Sequence, residues 1–181
     1  EEIRKIDRNR KIIIGGNLYN SVNTLHELDR IDDDNLVYTF HFYEPHIFTH
    51  QKAGWEPLLK DLEVDVTYPS TEETYEVYYP ERLRQRYLFG KVVDKEYLRR
   101  YMQPALDFAR ERNVPLYCGE YGVIDRAPMD SRLNWHRDLS DLLIEYGIGR
   151  AVWTYKLMSF PLVDINSAVI SDELVKIVSR K

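Results

Sequence analysis

The chain contains a single cysteine, no basic cluster and no long apolar stretch. Cys118 cannot form an internal disulfide, and its apolar neighbours predict a buried, unreactive thiol. The net charge is −5 without a run of Lys and Arg, so nucleic acid is a poor candidate partner. No apolar stretch approaches the roughly 18 residues that cross a bilayer. These absences exclude a disulfide scaffold and give no support to nucleic-acid or membrane binding.

The composition that remains is that of one globular domain over residues 1–181. Hydrophobic residues make up 44% of the chain and charged residues 30%. The aromatic content is high, with 14 tyrosines, 3 tryptophans and 6 phenylalanines. Such rings either form the core or line a groove that binds a flat ligand.

Predicted strands and helices alternate along the chain. Apolar or β-branched stretches predict strands over residues 11–14, 36–43, 113–120 and 150–156. Helices are predicted over the first seven residues, over 21–28, after Asp94, from about 131 to Gly147, and after Ser171. A long aromatic connection, residues 44–93, separates the second strand from the helix that Asp94 caps.

The predicted long helices each have an apolar face. The expected buried positions are Leu98, Met102, Ala105 and Ala109 in one helix, and Trp135, Leu139, Leu142 and Tyr146 in the next. The last, short helix carries Leu174, Ile177 and Val178. Strands that alternate with such helices predict a parallel sheet with helical cover.

Polar and aromatic residues follow the carboxyl ends of these predicted strands. Asn17, His41, Tyr43, Glu120 and Trp153 all lie there. The two-residue period of a strand places His41 and Tyr43 on the face opposite the neighbouring phenylalanines. Ligands bind at the carboxyl edge of parallel α/β sheets, so these side chains are candidates for one site.

Each of these residues also has an ordinary structural interpretation. Glu120 stands between Gly119 and Gly122, where a carboxylate is either a solvated strand end or a reactive group held at the sheet edge. A histidine on a strand is commonly a satisfied core residue, and a tyrosine or tryptophan there is commonly packing.

Three segments resemble glycoside hydrolase family five, the cellulase-like retaining β-glycosidases. They are HFYEPHIFTHQKAGW (41–55), YCGEYGV (117–123) and AVWTYK (151–156). The resemblance implies a (β/α)8 TIM barrel of which this chain holds only strands five to eight with their helices. Residues 1–181 would then be a half-barrel, the C-terminal half of a glycoside hydrolase domain.

The resemblance also implies a role for each candidate residue. Glu120 matches the nucleophile, His41 and Tyr43 match the pair that orients it, and Trp153 matches the tryptophan on which a sugar stacks. Asn17 and Trp55 fall where the family often contacts substrate. The implied reaction is hydrolysis of β-glycosidic bonds in a polysaccharide by double displacement, with no metal and no organic cofactor.

The sequence departs from the family at the acid/base residue. The family uses the glutamate of an Asn-Glu-Pro motif at the end of strand four, and no Asn-Glu pair occurs in these 181 residues. The acid/base is therefore expected from outside this segment, on an N-terminal half-barrel. We expect the chain to cover its open sheet with that half-barrel or with a second copy, and to be inactive alone. A polysaccharide substrate favours an extracellular or cell-surface location.

Two other functions remain open at this stage. The chain could be a non-catalytic carbohydrate-binding half-barrel, or a metal-dependent barrel hydrolase that uses His41, His46 or His50. The histidine spacing matches no helical zinc motif, which favours solvated or loop-bracing histidines. Glu44 directly follows Tyr43 and is expected to point away from the face of His41 and Tyr43.

Overall fold

The computed structural model of the chain describes residues 2–76 and 92–181. The strands are β1 (Ile12–Gly15), β2 (Leu36–Phe42), β3 (Ser70–Thr71), β4 (Val92–Val93), β5 (Leu116–Tyr121) and β6 (Gly149–Arg150). The helices are α1 (Glu2–Ile6), α2 (Asn17–Asn20), α3 (His46–Thr49), α4 (Glu72–Glu76), α5 (Lys95–Arg112), α6 (Met129–Glu145) and α7 (Asp172–Val178), with a 3-10 helix at Val22–Glu27. Within the predicted connection, residues 77–91 lie outside the described residues.

A four-stranded parallel sheet is the centre of the structure, in the order β1-β2-β5-β6. β2 pairs with both β1 and β5 in parallel, and β5 pairs with β6 in the same way. Parallel neighbours require crossover connections, which the helices supply. The predicted parallel α/β sheet is therefore confirmed. β3 and β4 form a separate antiparallel pair.

The helices cover one face of the sheet. On β2, Phe40 and Phe42 are buried, as their period of two predicts. The Phe42 ring lies 6.1 Å from that of Tyr101 on α5 and 6.5 Å from that of Trp135 on α6. Burying an aromatic side chain of this size contributes about 1.5–3 kcal/mol, so these contacts hold both long helices to the sheet.

Most of the predicted helix ends and helix faces are confirmed. Asp94 accepts hydrogen bonds from the amides of Glu96 and Tyr97, and Ser171 accepts one from the amide of Leu174. Gly147, with φ of +64°, follows the end of α6. The buried positions include Leu98, Met102, Ala105, Trp135, Leu139 and Leu142.

Two predictions about these elements were wrong. Tyr146 is 37% exposed, because it lies at the end of α6 where its ring meets the guanidinium of Arg99 instead of the core. The strand predicted over 150–156 is only Gly149–Arg150. Beyond it the backbone keeps two separate hydrogen bonds to β5, from Ala151 to Cys118 and from Trp153 to Tyr121, as an edge segment can.

Within the described ranges, no helix is both long and apolar enough to span a membrane.

The buried His136 predicts how stability depends on pH. His136 is 2% exposed, and its Nδ1 lies 2.7 Å from the carbonyl oxygen of Arg132. Burial lowers the pKa of His136 from 6.5 to about 4. Between pH 6.5 and about pH 4 the unfolded chain therefore binds a proton at His136 that the folded chain does not bind. The contribution of neutral His136 to the free energy of unfolding is complete above pH 6.5 and is lost as the pH falls through this range.

We expect the His136→Asn variant to lose less stability than the parent protein as the pH falls from about 7 to about 4.5, by about 2–3 kcal/mol. Urea unfolding across this range measures the difference. Some pH dependence remains, because burial also lowers the pKa of His50. The exposed His26 supplies the control, His26→Asn, which should follow the parent curve. Parallel curves for His136→Asn and the parent would contradict the assignment.

Candidate active site

A bulge in β5 turns Glu120 toward the open face of the sheet. Phe40 is paired with Cys118, but the next residue of β2, His41, is paired with Glu120. Gly119 is the extra residue. Because Cys118 is buried against the helices, regular alternation would also point Glu120 toward them. The bulge instead places the Glu120 side chain beside His41, as bulges near active sites often do.

His41 at the end of β2 and Tyr43 just after this strand contact the Glu120 carboxylate. The Tyr43 hydroxyl donates a hydrogen bond to Oε2 at 3.1 Å. Nδ1 of His41 lies 3.3 Å from the same oxygen. The Glu120 side chain is 31% exposed and that of His41 is 19% exposed. The carboxylate is thus held at one oxygen and remains accessible from solvent.

The protonation states suit this arrangement. Burial and the nearby Glu120 charge raise the pKa of Tyr43, so its hydroxyl remains a donor. Burial lowers the pKa of His41, and the Glu120 charge opposes this shift only in part. His41 is therefore neutral near pH 7. The second ring nitrogen of His41, Nε2, lies 3.1 Å from Nδ2 of Asn20.

Glu120 lies in an open cleft of about 1120 Å³ at the carboxyl edge of the sheet. The aromatic side chains that line the cleft are Tyr19, Tyr43, Trp55, Tyr101, Trp153 and Phe160. Trp55 is 54% exposed, and its ring centroid is 6.4 Å from that of Phe160. A cleft with a carboxylate and the exposed rings of Tyr19 and Trp55 can bind a ligand that has flat apolar surfaces beside polar groups.

The predicted convergence of Glu120, His41, Tyr43 and Trp153 is confirmed, because all four line this cleft. Trp55 also lines it. Asn17 does not, so the structure does not place it for the predicted substrate contact. Its amide donates to Oε2 of Glu27 at 2.8 Å, outside the cleft.

Asn20 and Phe160 also line the cleft, and neither is among the residues predicted from the sequence. Asn20 lies three residues after Asn17, and Phe160 lies in the loop after β6. The Phe160 ring centroid is 5.9 Å from that of Tyr43. No regular period marks either residue, because Phe160 lies in a loop and the short α2 that ends at Asn20 has left-handed φ angles over residues 18–20.

The remaining histidines of the cleft brace its wall. The rings of His46 and His50 stack with centroids 4.0 Å apart. Nε2 of His46 lies 3.3 Å from Glu56, and Nδ1 of His50 lies 3.0 Å from the hydroxyl of Thr49. Among the described residues no group of three or more His, Cys, Asp or Glu side chains could hold a metal ion.

Glu44 lies at the rim of the cleft, where its carboxylate accepts a hydrogen bond from the backbone amide of His46 at 3.0 Å. This contact ties the carboxylate to the start of α3. The expectation that Glu44 points away from the face of His41 and Tyr43 is not confirmed, because all three residues line this cleft.

Fold and site together define a parallel α/β protein with a solvent-accessible carboxylate at the carboxyl edge of its sheet. The chain belongs to the cellulase family, glycosyl hydrolase family 5, whose family model matches residues 1–159.

Curated relatives match over nearly the whole chain. Endoglucanase C of Acetivibrio thermocellus is 42% identical over 182 residues, which cover 99% of this chain and 53% of the relative. Cellodextrinase A of Ruminococcus flavefaciens is 32% identical over 184 residues, covering 99% of this chain and 48% of the relative. The chain thus spans about half the length of these relatives.

Solved structures show the same fold. A hyperthermophilic endo-β-1,4-glucanase, solved in complex with substrate, is 26% identical with a TM-score of 0.77. The match covers 99% of this chain and 51% of that one. The cellulose synthase subunit Z of Clostridioides difficile has a TM-score of 0.79 at 23% identity, covering 98% of this chain and 52% of that one, which is a likeness of fold alone.

Proposed function

We propose that this chain supplies the nucleophile side of a retaining β-glycosidase that hydrolyses a β-linked polysaccharide. The observation that carries the proposal is the Glu120 carboxylate, which Tyr43 and His41 contact at a single oxygen in an open, aromatic cleft. Membership in glycosyl hydrolase family 5 supports the reaction class.

The contacts suggest how Glu120 would react. Both Tyr43 and His41 approach Oε2, so Oε1 is the oxygen that neither of them contacts. In a double displacement Oε1 would bond to the anomeric carbon as the bond to the leaving oxygen breaks, and water would later release the sugar. The hydrogen bond from Tyr43 fixes the carboxylate for this attack. The Trp153 ring would contact the apolar face of the sugar.

The second carboxyl group would come from another polypeptide segment. Retaining glycosidases hold an acid/base carboxyl about 5–5.5 Å from the nucleophile. We propose that it lies on an N-terminal half-barrel carrying strands one to four, which would complete the sheet beside β1 and β6. The 58% exposure of Ile13 on β1 supports a covered surface there in the complete assembly. A second copy of this chain is the other candidate cover.

The substrate class follows from the relatives and from the open cleft. The curated relatives include endoglucanases and a cellodextrinase, and both kinds of name refer to β-linked glucose polymers or oligomers. An open cleft suits a chain that extends beyond the site on both sides. Because a polymeric substrate cannot readily enter a cell, we propose an extracellular or cell-surface location.

The experiment that tests the function is a chimera. This chain is joined to the part of Endoglucanase C that lies outside the matched stretch, and both the chimera and the chain alone are assayed on soluble β-glucan. We expect turnover by the chimera and little or none by the chain alone, because only the chimera has an acid/base carboxyl.

Each other outcome identifies an alternative. A folded, inactive chimera that still binds β-glucan would favour the carbohydrate-binding function. Activity that a chelator abolishes and added metal restores would favour a metal-dependent hydrolase. Light scattering on the chain alone reports whether two copies cover each other's open sheets, and a stable monomer would exclude that dimer.

A further inference from the structure

Asn20 contacts the ring nitrogen of His41 that faces away from Glu120. Its Nδ2 lies 3.1 Å from Nε2 of His41, whereas Nδ1 of the same ring lies 3.3 Å from Oε2 of Glu120. The three side chains therefore form a row from Asn20 through His41 to the carboxylate.

The chemistry of this row determines where the His41 proton lies. A neutral imidazole has one nitrogen that donates and one that accepts. An ionised carboxylate only accepts, so the proton of His41 belongs on Nδ1. Nε2 must then accept a hydrogen bond, and the amide group of Asn20 supplies the donor. The opposite tautomer would place a lone pair against the carboxylate and two donors against each other.

The backbone around Asn20 is shaped for this contact. Leu18, Tyr19 and Asn20 have φ angles of 49°, 57° and 59°, in the left-handed region that residues other than glycine seldom adopt. Such residues concentrate at functional sites. Ser21, which follows directly, forms an isolated parallel bridge with His41.

Gly15 leaves room for the Asn20 side chain. A Cβ atom at residue 15 would lie 1.9 Å from Oδ1 of Asn20, so a larger residue there would force the amide to move. The position of the Asn20 side-chain amide thus depends on three features: the glycine at residue 15, the left-handed φ angles of residues 18–20 and the bridge at Ser21.

We propose that Asn20 is a positioning residue that holds His41 in the tautomer whose Nδ1 proton points at Glu120. The effect on catalysis rests on the proposed function, but the tautomer itself does not. With the proton fixed on Nδ1, His41 and Tyr43 both present protons to Oε2 and orient Oε1 toward the substrate. Nothing in this role requires Asn20 to touch the sugar.

Nitrogen-15 NMR of the histidine rings tests the tautomer without any activity measurement. The chain has 5 histidines, and the His41→Gln spectrum identifies the His41 signals. We expect a protonated Nδ1 and an unprotonated Nε2 near pH 7. Asn20→Gly, which suits the left-handed backbone, should give a mixture of tautomers. Asn20→Asp places an acceptor at Nε2 and should protonate that nitrogen.

A matched control separates the amide from the backbone change. Asn113, the residue after α5, has φ of 54° and lies outside the cleft, so Asn113→Gly makes the same exchange in the same backbone region. It should leave the His41 signals unchanged. A wild-type His41 protonated at Nε2, or one whose tautomer does not respond to Asn20→Gly and Asn20→Asp, would overturn the proposal.

Kinetics in the active chimera then test the consequence. We expect Asn20→Gly to lower kcat by about tenfold with KM nearly unchanged, and Asn113→Gly to alter neither. A rise in KM at constant kcat would overturn the positioning role and indicate that Asn20 binds substrate. If the chimera is inactive while the NMR result holds, the proposed function fails and the tautomer assignment stands.

Discussion

Glu120→Gln in the active chimera is expected to lower kcat for β-glucan hydrolysis by about 10⁴-fold or more, with the fold intact. The amide has nearly the shape of the carboxylate but is a very weak nucleophile. Its oxygen can still accept the hydrogen bond from Tyr43, so little rearrangement is needed. Steady-state kinetics on a soluble β-glucan and a urea unfolding curve measure the two expectations.

The control for this substitution is Glu145→Gln. Glu145 lies at the end of α6, where its carboxylate pairs with Arg99 at 2.6 Å, and neither residue lines the cleft. The same chemical change there should leave kcat within about twofold. Near-normal turnover by Glu120→Gln would show that another residue is the nucleophile. Equal losses in both variants would point to a defect in folding.

Restored turnover with a small anionic nucleophile gives a further check on Glu120. In a Glu120→Gly variant, azide can occupy the space of the lost carboxylate and attack the anomeric carbon from the same side. A glycosyl azide of inverted configuration is the expected product for a retaining enzyme. An azide product of retained configuration would contradict direct attack by Glu120.

The order of elements was predictable because local patterns determine it. Apolar runs such as residues 11–14 and capping residues such as Asp94 and Ser171 depend on neighbours close in the sequence. The carboxyl edge as the site follows from parallel strands, since each strand delivers its end to the same side. That rule was sufficient to bring Glu120, His41 and Tyr43 together.

The direction of Glu120 was not predictable from alternation. A period of two carried from Cys118 points Glu120 into the helices, and only the pairing with β2 shows that Gly119 is the extra residue. The flanking glycine indicates irregular backbone, but it does not show that β5 carries an extra residue relative to β2. Register between strands is a property of the folded sheet.

Asn17 and Asn20 illustrate a similar limit. Both follow β1 and have the same chemistry, so the sequence favoured the nearer one. Three consecutive left-handed residues then turn the chain so that Asn20 reaches His41 and Asn17 reaches Glu27. Backbone angles of this kind are rare outside glycine and have no reliable local signal in residues 18–20.

Gly119 and Gly122, on either side of Glu120, lie close to different residues. A side chain at residue 122 is expected to destabilise the protein more than one at residue 119. A Cβ at residue 119 would lie 2.7 Å from the hydroxyl oxygen of Thr39, a side-chain atom that can rotate away. A Cβ at residue 122 would lie 2.3 Å from the backbone carbonyl oxygen of Trp153, which cannot. The amide of Trp153 is bound to the carbonyl of Tyr121 at 2.8 Å, so the two segments are held together at this point.

We therefore expect Gly122→Ala to destabilise the protein by about 1–3 kcal/mol and to displace the segment that carries Trp153. Urea unfolding measures the first effect, and a rise in KM of the active chimera measures the second, since Trp153 lines the cleft. Gly54→Ala is the matched control, because a Cβ at residue 54 meets nothing within 4 Å. Its stability should stay within about 0.5 kcal/mol of the parent. Equal urea unfolding midpoints for Gly122→Ala and Gly54→Ala would contradict this prediction. They would show that the close approach of the Trp153 carbonyl does not require glycine at residue 122.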